Sequence, residues 1–157
     1  NISNWDVSSV TTMYNMFGSA WKFNQDISNW DVSNVENMHS MFGYARDFNQ
    51  DISSWDVSSV TTMRTMFAYA DDFDQNLASW DITSVTDMVR MFEENTLSTT
   101  NYNALLVGWS TKTEDESPIP TNITFSGGNS QYSTTGESAR NTLINTYGWT
   151  ITDGGLT

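Results

Sequence analysis

Four aspartates, Asp6, Asp31, Asp56 and Asp81, stand 25 residues apart, each directly after a tryptophan. Carboxylates repeated in neighbouring strands would lie about 4.8 Å from one another and repel by about 1 kcal/mol per pair even in water. Such a column needs compensation. Hydrogen bonds from Ser8, Ser33, Ser58 and Thr83, or from main-chain N–H groups at a following helix start, would supply it from within the fold. A cation or a Lys/Arg-rich partner lying along the face would supply it from outside. The first answer makes the acids scaffolding; the second makes them a ligand site.

Positions that change from unit to unit are better suited to telling partners apart. Tyr14, His39, Arg64 and Val89 form one such column, Asn15, Ser40, Thr65 and Arg90 the next, and Trp21, Arg46 and Asp71 a third. Ordinary surface drift produces columns like these as readily as binding does. Trp21, beside Tyr44 and Tyr69, is the group able to stack on a sugar or anchor a protein interface.

Covalent chemistry has little to work with. His39 is the one histidine, so a Ser-His-Asp triad would have to exist in a single unit. Asp71, Asp72 and Asp74 are neighbours in a turn and do not offer the opposed carboxylates that glycoside hydrolysis needs. The calcium loop D-x-[DN]-x-[DN]-G and the glycine-rich calcium repeat are both absent, which leaves adventitious Ca²⁺ in acidic turns as the only metal expectation. There is no cysteine, hence no disulfide and no thiolate ligand or nucleophile. The expectation is a protein that is not an enzyme and carries no cofactor.

Nineteen acids against six bases give a net charge of −13. That field disfavours nucleic acid and anionic lipid but leaves a basic partner open. No apolar run is long enough to cross a bilayer, so direct membrane insertion is not expected.

The acids are placed by a repeat. Apolar positions run Ile2, Trp5, Val7, Val10, Met13, then Ile27, Trp30, Val32, Val35, Met38, then Ile52, Trp55, Val57, Val60, Met63, then Leu77, Trp80, Ile82, Val85, Met88. This spacing follows the leucine-rich-repeat frame, in which the Trp-x-Val step is a strand with the intervening aspartate turned outward. Val10, Met13, Met16, Phe17 and Ala20 then recur at three and four, the period of a short helix. Phe23-Asn24-Gln25-Asp26 and its counterparts read as return turns, with Gln25, Gln50 and Gln75 placed to form an amide ladder between layers.

After Phe92 the pattern breaks. Tyr102, Leu105, Leu106 and Trp109 sit at helical spacing behind Ser98, Thr99 and Thr100 as candidate caps. A polar loop with Glu114-Asp115-Glu116 follows. Ile123-Thr124-Phe125 reads as a strand, Thr134-Thr135-Gly136-Glu137 opens a helix, and Trp149-Thr150-Ile151-Thr152 is a second strand. The expected fold is therefore an α/β, leucine-rich-repeat-like solenoid of four 25-residue strand–helix units with a parallel sheet, closed by a C-terminal βαβ cap. Residues 1–100 form the repeat solenoid and 101–157 the cap, and the start in mid-repeat reads as a fragment of a larger protein.

The repeated sentence Phe-Asn-Gln-Asp-Ile-Ser-x-Trp-Asp-Val-Ser-x-Val-x-x-Met-x-x-Met-Phe resembles the bacterial surface-protein repeat of about 25 residues related to BspA-type leucine-rich repeats, also found in mycoplasma lipoproteins. The resemblance covers residues 1 to about 92 and brings no catalytic residues. It implies an exported or cell-surface location and a role in adhesion or recognition of a protein, peptide or glycan. The candidate ligand-binding residues are Asp6, Asp31, Asp56, Asp81, Tyr14, His39, Arg64, Trp21, Tyr44 and Tyr69. The competing expectations are a spacer with no ligand of its own, or an accessory region of a larger cell-wall or polysaccharide-active enzyme.

Overall fold

The computed structural model describes residues 2–111 and 118–157, so the acidic run Glu114-Asp115-Glu116 lies outside the described residues. Among the described residues the regular elements are α1 (Thr99–Ser110), β1 (Thr124–Ser126), α2 (Thr134–Asn145) and β2 (Thr150–Thr152), with β1 and β2 pairing in parallel. This overturns the expected array of strand–helix units. Residues 2–97 contain neither helices nor extended strands; they form four stacked layers of turns.

Two local causes account for the difference. Each Trp-x-Val step lies between two aspartate turns: Asp26 accepts from the Ser28 N–H at 3.0 Å and Asp31 from the Ser33 N–H at 3.1 Å. The Trp30 and Val35 N–H groups are taken by Ile27 and Val32 carbonyls of their own layer, which leaves no extended run free to build a sheet. The would-be helix fails for another reason. Asn15 and Ser19, Ser40 and Tyr44, Thr65 and Tyr69, and Arg90 and Glu94 all have positive φ, so a left-handed residue interrupts each short run twice.

What replaces the helix is a chain of overlapping turns. Met16, Gly18 and Ala20 donate to Met13, Asn15 and Phe17 within the layer, while Met13, Asn15, Phe17 and Ser19 donate to Asn37, His39, Met41 and Gly43 in the next. Alternate amides thus serve the turn and the neighbouring layer, and the main chain is satisfied without helix or sheet. The same ladder recurs from Met38 to Thr62 and from Met63 to Asp87. Parallel pairing survives only as single bridges along Thr12, Asn37, Thr62 and Asp87.

The inward positions read from the repeat do form the core. Trp30, Trp55 and Trp80 are at most 4% exposed, and the Ile, Val and Met positions of layers two to four are buried around them. Each indole N–H reaches back to the previous layer, Trp30 to the Ile2 carbonyl, Trp55 to Ile27 and Trp80 to Ile52, at 3.1–3.2 Å. Phe17, Phe42, Phe67 and Phe92 stack in one column with centroids 5.3–5.7 Å apart, and Phe23, Phe48 and Phe73 in a second. Trp5, in the first layer, is 54% exposed and stacks on Trp30.

The amide ladder exists with different acceptors. Gln50 donates to the Asn24 carbonyl and side-chain oxygen, and Gln75 does the same at Asn49. In the third layer Asp74 stands where the earlier ones have Asn. Its carboxylate receives the Ser98 N–H and hydroxyl and the Asn101 amide at the start of α1, where a negative charge also suits the helix dipole.

Helix α1 is capped by the Ser98 side chain, and Tyr102, Leu105, Leu106 and Trp109 are fully buried. Trp109 donates to the Leu77 carbonyl at 3.1 Å, so a helix supplies the indole contact that a fifth layer would have made. Gly108 permits this approach, because a Cβ there would stand 2.3 Å from the Ala78 carbonyl oxygen. β1 joins the stack through a Met88–Phe125 bridge and the Phe92 N–H bond to Ser126. α2 is capped by Ser133 and packs against α1. A partly buried triad locks this end: Asp153 accepts from the Tyr102 hydroxyl and the Arg140 guanidinium, both at 2.8 Å.

Candidate functional site

The aspartate column folds onto its own backbone. Asp6, Asp31 and Asp56 each accept the N–H and the hydroxyl of the serine two residues on, the hydroxyls at 2.6 Å, and Asp81 accepts the Thr83 N–H. The Ser8 hydroxyl and then its N–H hold the Asp6 carboxyl below the ordinary carboxylate value. Ser33 does the same at Asp31, against a small opposing push from burial and from the charge of Asp6. These bonds stabilise the anions without an external partner. Among the described residues, no three acidic or histidine side chains converge on a point where a metal ion could sit.

The variable columns separate into different neighbourhoods. Tyr14 meets His39 edge-on at 5.1 Å, and Arg64 pairs with Asp87 at 3.6 Å. Trp21 is 61% exposed and carries Arg46 over its ring at 5.8 Å. Arg46 in turn lies 3.7 Å from Asp71. These contacts are superficial and screened, and they stabilise little.

Tyr44 and Tyr69 stand elsewhere, stacked face to face at 4.5 Å with their planes 5° apart. They form one wall of a groove of about 330 Å³. Buried Gly43 and Ala68 make its floor, and Asn15, Ser40, Thr65 and Arg90 form the opposite wall. Ser40 and Thr65 hydroxyls touch at 2.7 Å, and Arg90 pairs with Glu93 at 3.3 Å. Trp21, Tyr14, His39 and Arg64 do not line this groove, so the structure divides residues that sequence columns place in one class.

Reading by columns misses the floor. Its signal is the run Gly18, Gly43, Ala68 at the layer period, small residues between two polar or aromatic columns. The columns at Tyr14 and Asn15 diverge because Asn15, Ser40, Thr65 and Arg90 are left-handed, which turns those side chains away from their neighbours' side of the coil.

A family model described as Mycoplasma protein of unknown function, DUF285, matches residues 1–112. The chain belongs to this family. The DUF285 match spans all four layers, every groove residue and α1. β1, α2 and β2 lie beyond it. No curated protein and no solved structure matches the chain. Among the described residues, no helix is long and apolar enough to cross a membrane.

Proposed function

We propose that this chain is a non-catalytic recognition module of an exported or cell-surface protein, and that its ligand lies in the groove between Tyr44 and Tyr69 on one side and Asn15, Ser40, Thr65 and Arg90 on the other. One observation carries the reading. The scaffold repeats almost unchanged from layer to layer, yet the wall of Asn15, Ser40, Thr65 and Arg90 changes identity at every step, while the facing Tyr44 and Tyr69 form a constant aromatic wall and the floor stays small. A fixed frame with variable contact residues is how repeat folds present a specific surface. The resemblance to BspA-type surface repeats supports the location and the adhesive role. The Asp column, satisfied by its own serines, is assigned to the scaffold.

The test is a glycan and peptide array probed with residues 1–157. Two variants accompany it: Tyr44→Gly with Tyr69→Gly, and Asp31→Asn with Asp56→Asn. The tyrosine pair should abolish the signal and the aspartate pair should leave it. Loss with the aspartate pair alone would move the site to the acidic column, and a silent array would leave a spacer as the better description.

A further inference from the structure

Asn15, Ser19, Ser40, Tyr44, Thr65, Tyr69 and Arg90 all sit at φ between 50° and 62°, a region that glycine enters without strain and other residues seldom adopt. None is glycine, and Thr65 is β-branched. All seven line the groove. They are left-handed points of each layer's turn chain, a set that also includes Glu94 outside the groove, so the backbone that builds the layers is also what brings these side chains to the groove.

The chemistry of these side chains is narrow. Thr65 gives its hydroxyl hydrogen to the Arg64 carbonyl at 2.8 Å, so Ser40 must supply the hydrogen of their shared contact. Ser40 then offers lone pairs to a ligand hydroxyl, next to the two-sided amide of Asn15. The groove's cation and anion, Arg90 and Glu93, neutralise each other. With a net charge of −13 the chain repels an anionic ligand. What fits is an uncharged molecule rich in hydroxyls.

The tyrosine column shows where it sits. One face of Tyr44 is covered by Tyr69; on its other side the first-layer member of the column is Ser19, small and exposed. Tyr44 is consequently 44% exposed. Ser19 thus leaves the face of Tyr44 opposite Tyr69 without an aromatic neighbour in its column. A groove of about 330 Å³ is at the small end of ligand sites, enough for one or two sugar rings.

We infer that the slot beside Ser19 binds a terminal, uncharged sugar ring, which stacks on the open face of Tyr44 and turns its hydroxyl edge toward Asn15 and Ser40. This rests on the recognition reading above and names its ligand class. The test is saturation-transfer NMR and calorimetry on residues 1–157 with cellobiose, N,N′-diacetylchitobiose, lactose and mannobiose, with glucuronate and a lysine-rich peptide as contrasts. At least one neutral disaccharide should bind. Tyr44→Gly, which also relieves the backbone, should weaken it about tenfold. Ser19→Tyr should block it by filling the slot, in a conformation that Tyr44 and Tyr69 already adopt. Thermal melts of both variants establish that they fold. Binding of no neutral sugar, or binding indifferent to Ser19→Tyr, overturns the inference. Peptide binding lost in Tyr44→Gly, with no sugar bound, would overturn it while leaving the recognition reading intact.

Discussion

Between Ile2 and Leu97 much of the main chain is satisfied by partners 24 or 25 residues away, whereas from Ser98 onward two helices satisfy much of it locally and the short β1–β2 pair alone among the named elements reaches as far. Yet the two regions place the same groups in the same core. An indole N–H meets a carbonyl of the preceding layer at Trp30, Trp55 and Trp80 from a coil of turns, and at Trp109 from α1. Side-chain position, set by the apolar pattern, is shared; the backbone that delivers it is not. The layers depend on one another, while α1 and α2 have hydrogen bonds of their own.

The comparison breaks most easily at the indoles. Trp80→Ala removes a side chain 1% exposed and should cost about 3–5 kcal/mol in urea denaturation of residues 1–157, while Trp5→Ala, at a side chain 54% exposed, should cost about 1 kcal/mol or less. Equal losses would mean that stacking position does not govern stability here.

How far this was legible in residues follows from the same contrast. The buried positions of layers two to four are those of the Ile-x-x-Trp-x-Val frame; α1 falls where periodicity and its Ser98 cap put it, α2 starts behind Ser133 rather than behind Thr134, and β1 and β2 lie within a residue of where the sequence puts them. The elements inside the layers are hidden from the sequence because successive three-residue turns space their apolar residues at three and four, as a helix does. Asn15 was the clue, being a residue type that tolerates the left-handed region, but Tyr44, Thr65 and Arg90 at equivalent points hide it. The aspartate turns are visible as Asp-x-Ser, and each ties the chain into a turn two residues after the Trp-x-Val step begins. Of the candidate site, the sequence marks Tyr44 and Tyr69 as aromatics beside Trp21, which does not line the groove. Their opposite wall was seen only as a drifting column, because which side a residue faces depends on the sign of φ.

A smaller effect separates the regions at the carboxyl end. Asp153→Asn keeps the shape of the Tyr102–Asp153–Arg140 cluster but leaves the guanidinium without its charge partner. Asp153 is 2% exposed and Arg140 17%. The expected cost is about 2–3 kcal/mol. Hydrogen exchange should quicken in α2 and β2 before it does around Trp55; uniform quickening would show that the two regions open together.

The smallest effect concerns acid. Asp6, Asp26, Asp31 and Asp51 have carboxyls held below their ordinary value, with the hydroxyl and N–H of the following serine as the chief cause. A lowered folded value means that their contribution is present above the unfolded value of about 3.9 and is lost as pH falls through the lower folded values. Melting temperature should therefore hold steady at mildly acidic pH and fall below about pH 4. Ser33→Ala should flatten that fall slightly. An unchanged acid profile would show that the aspartate turns add nothing specific to the charged form.

The ladder that carries Met13, Asn15, Phe17 and Ser19 amides onto the next layer also sets how the molecule yields to force. These bonds run along the stacking direction, so tension on the first layer loads them together and frees a whole coil at once. One such event releases 25 residues of slack, about 90 Å of extended chain. A module built this way lengthens in even increments under load, giving up outer coils while the remainder keeps its shape.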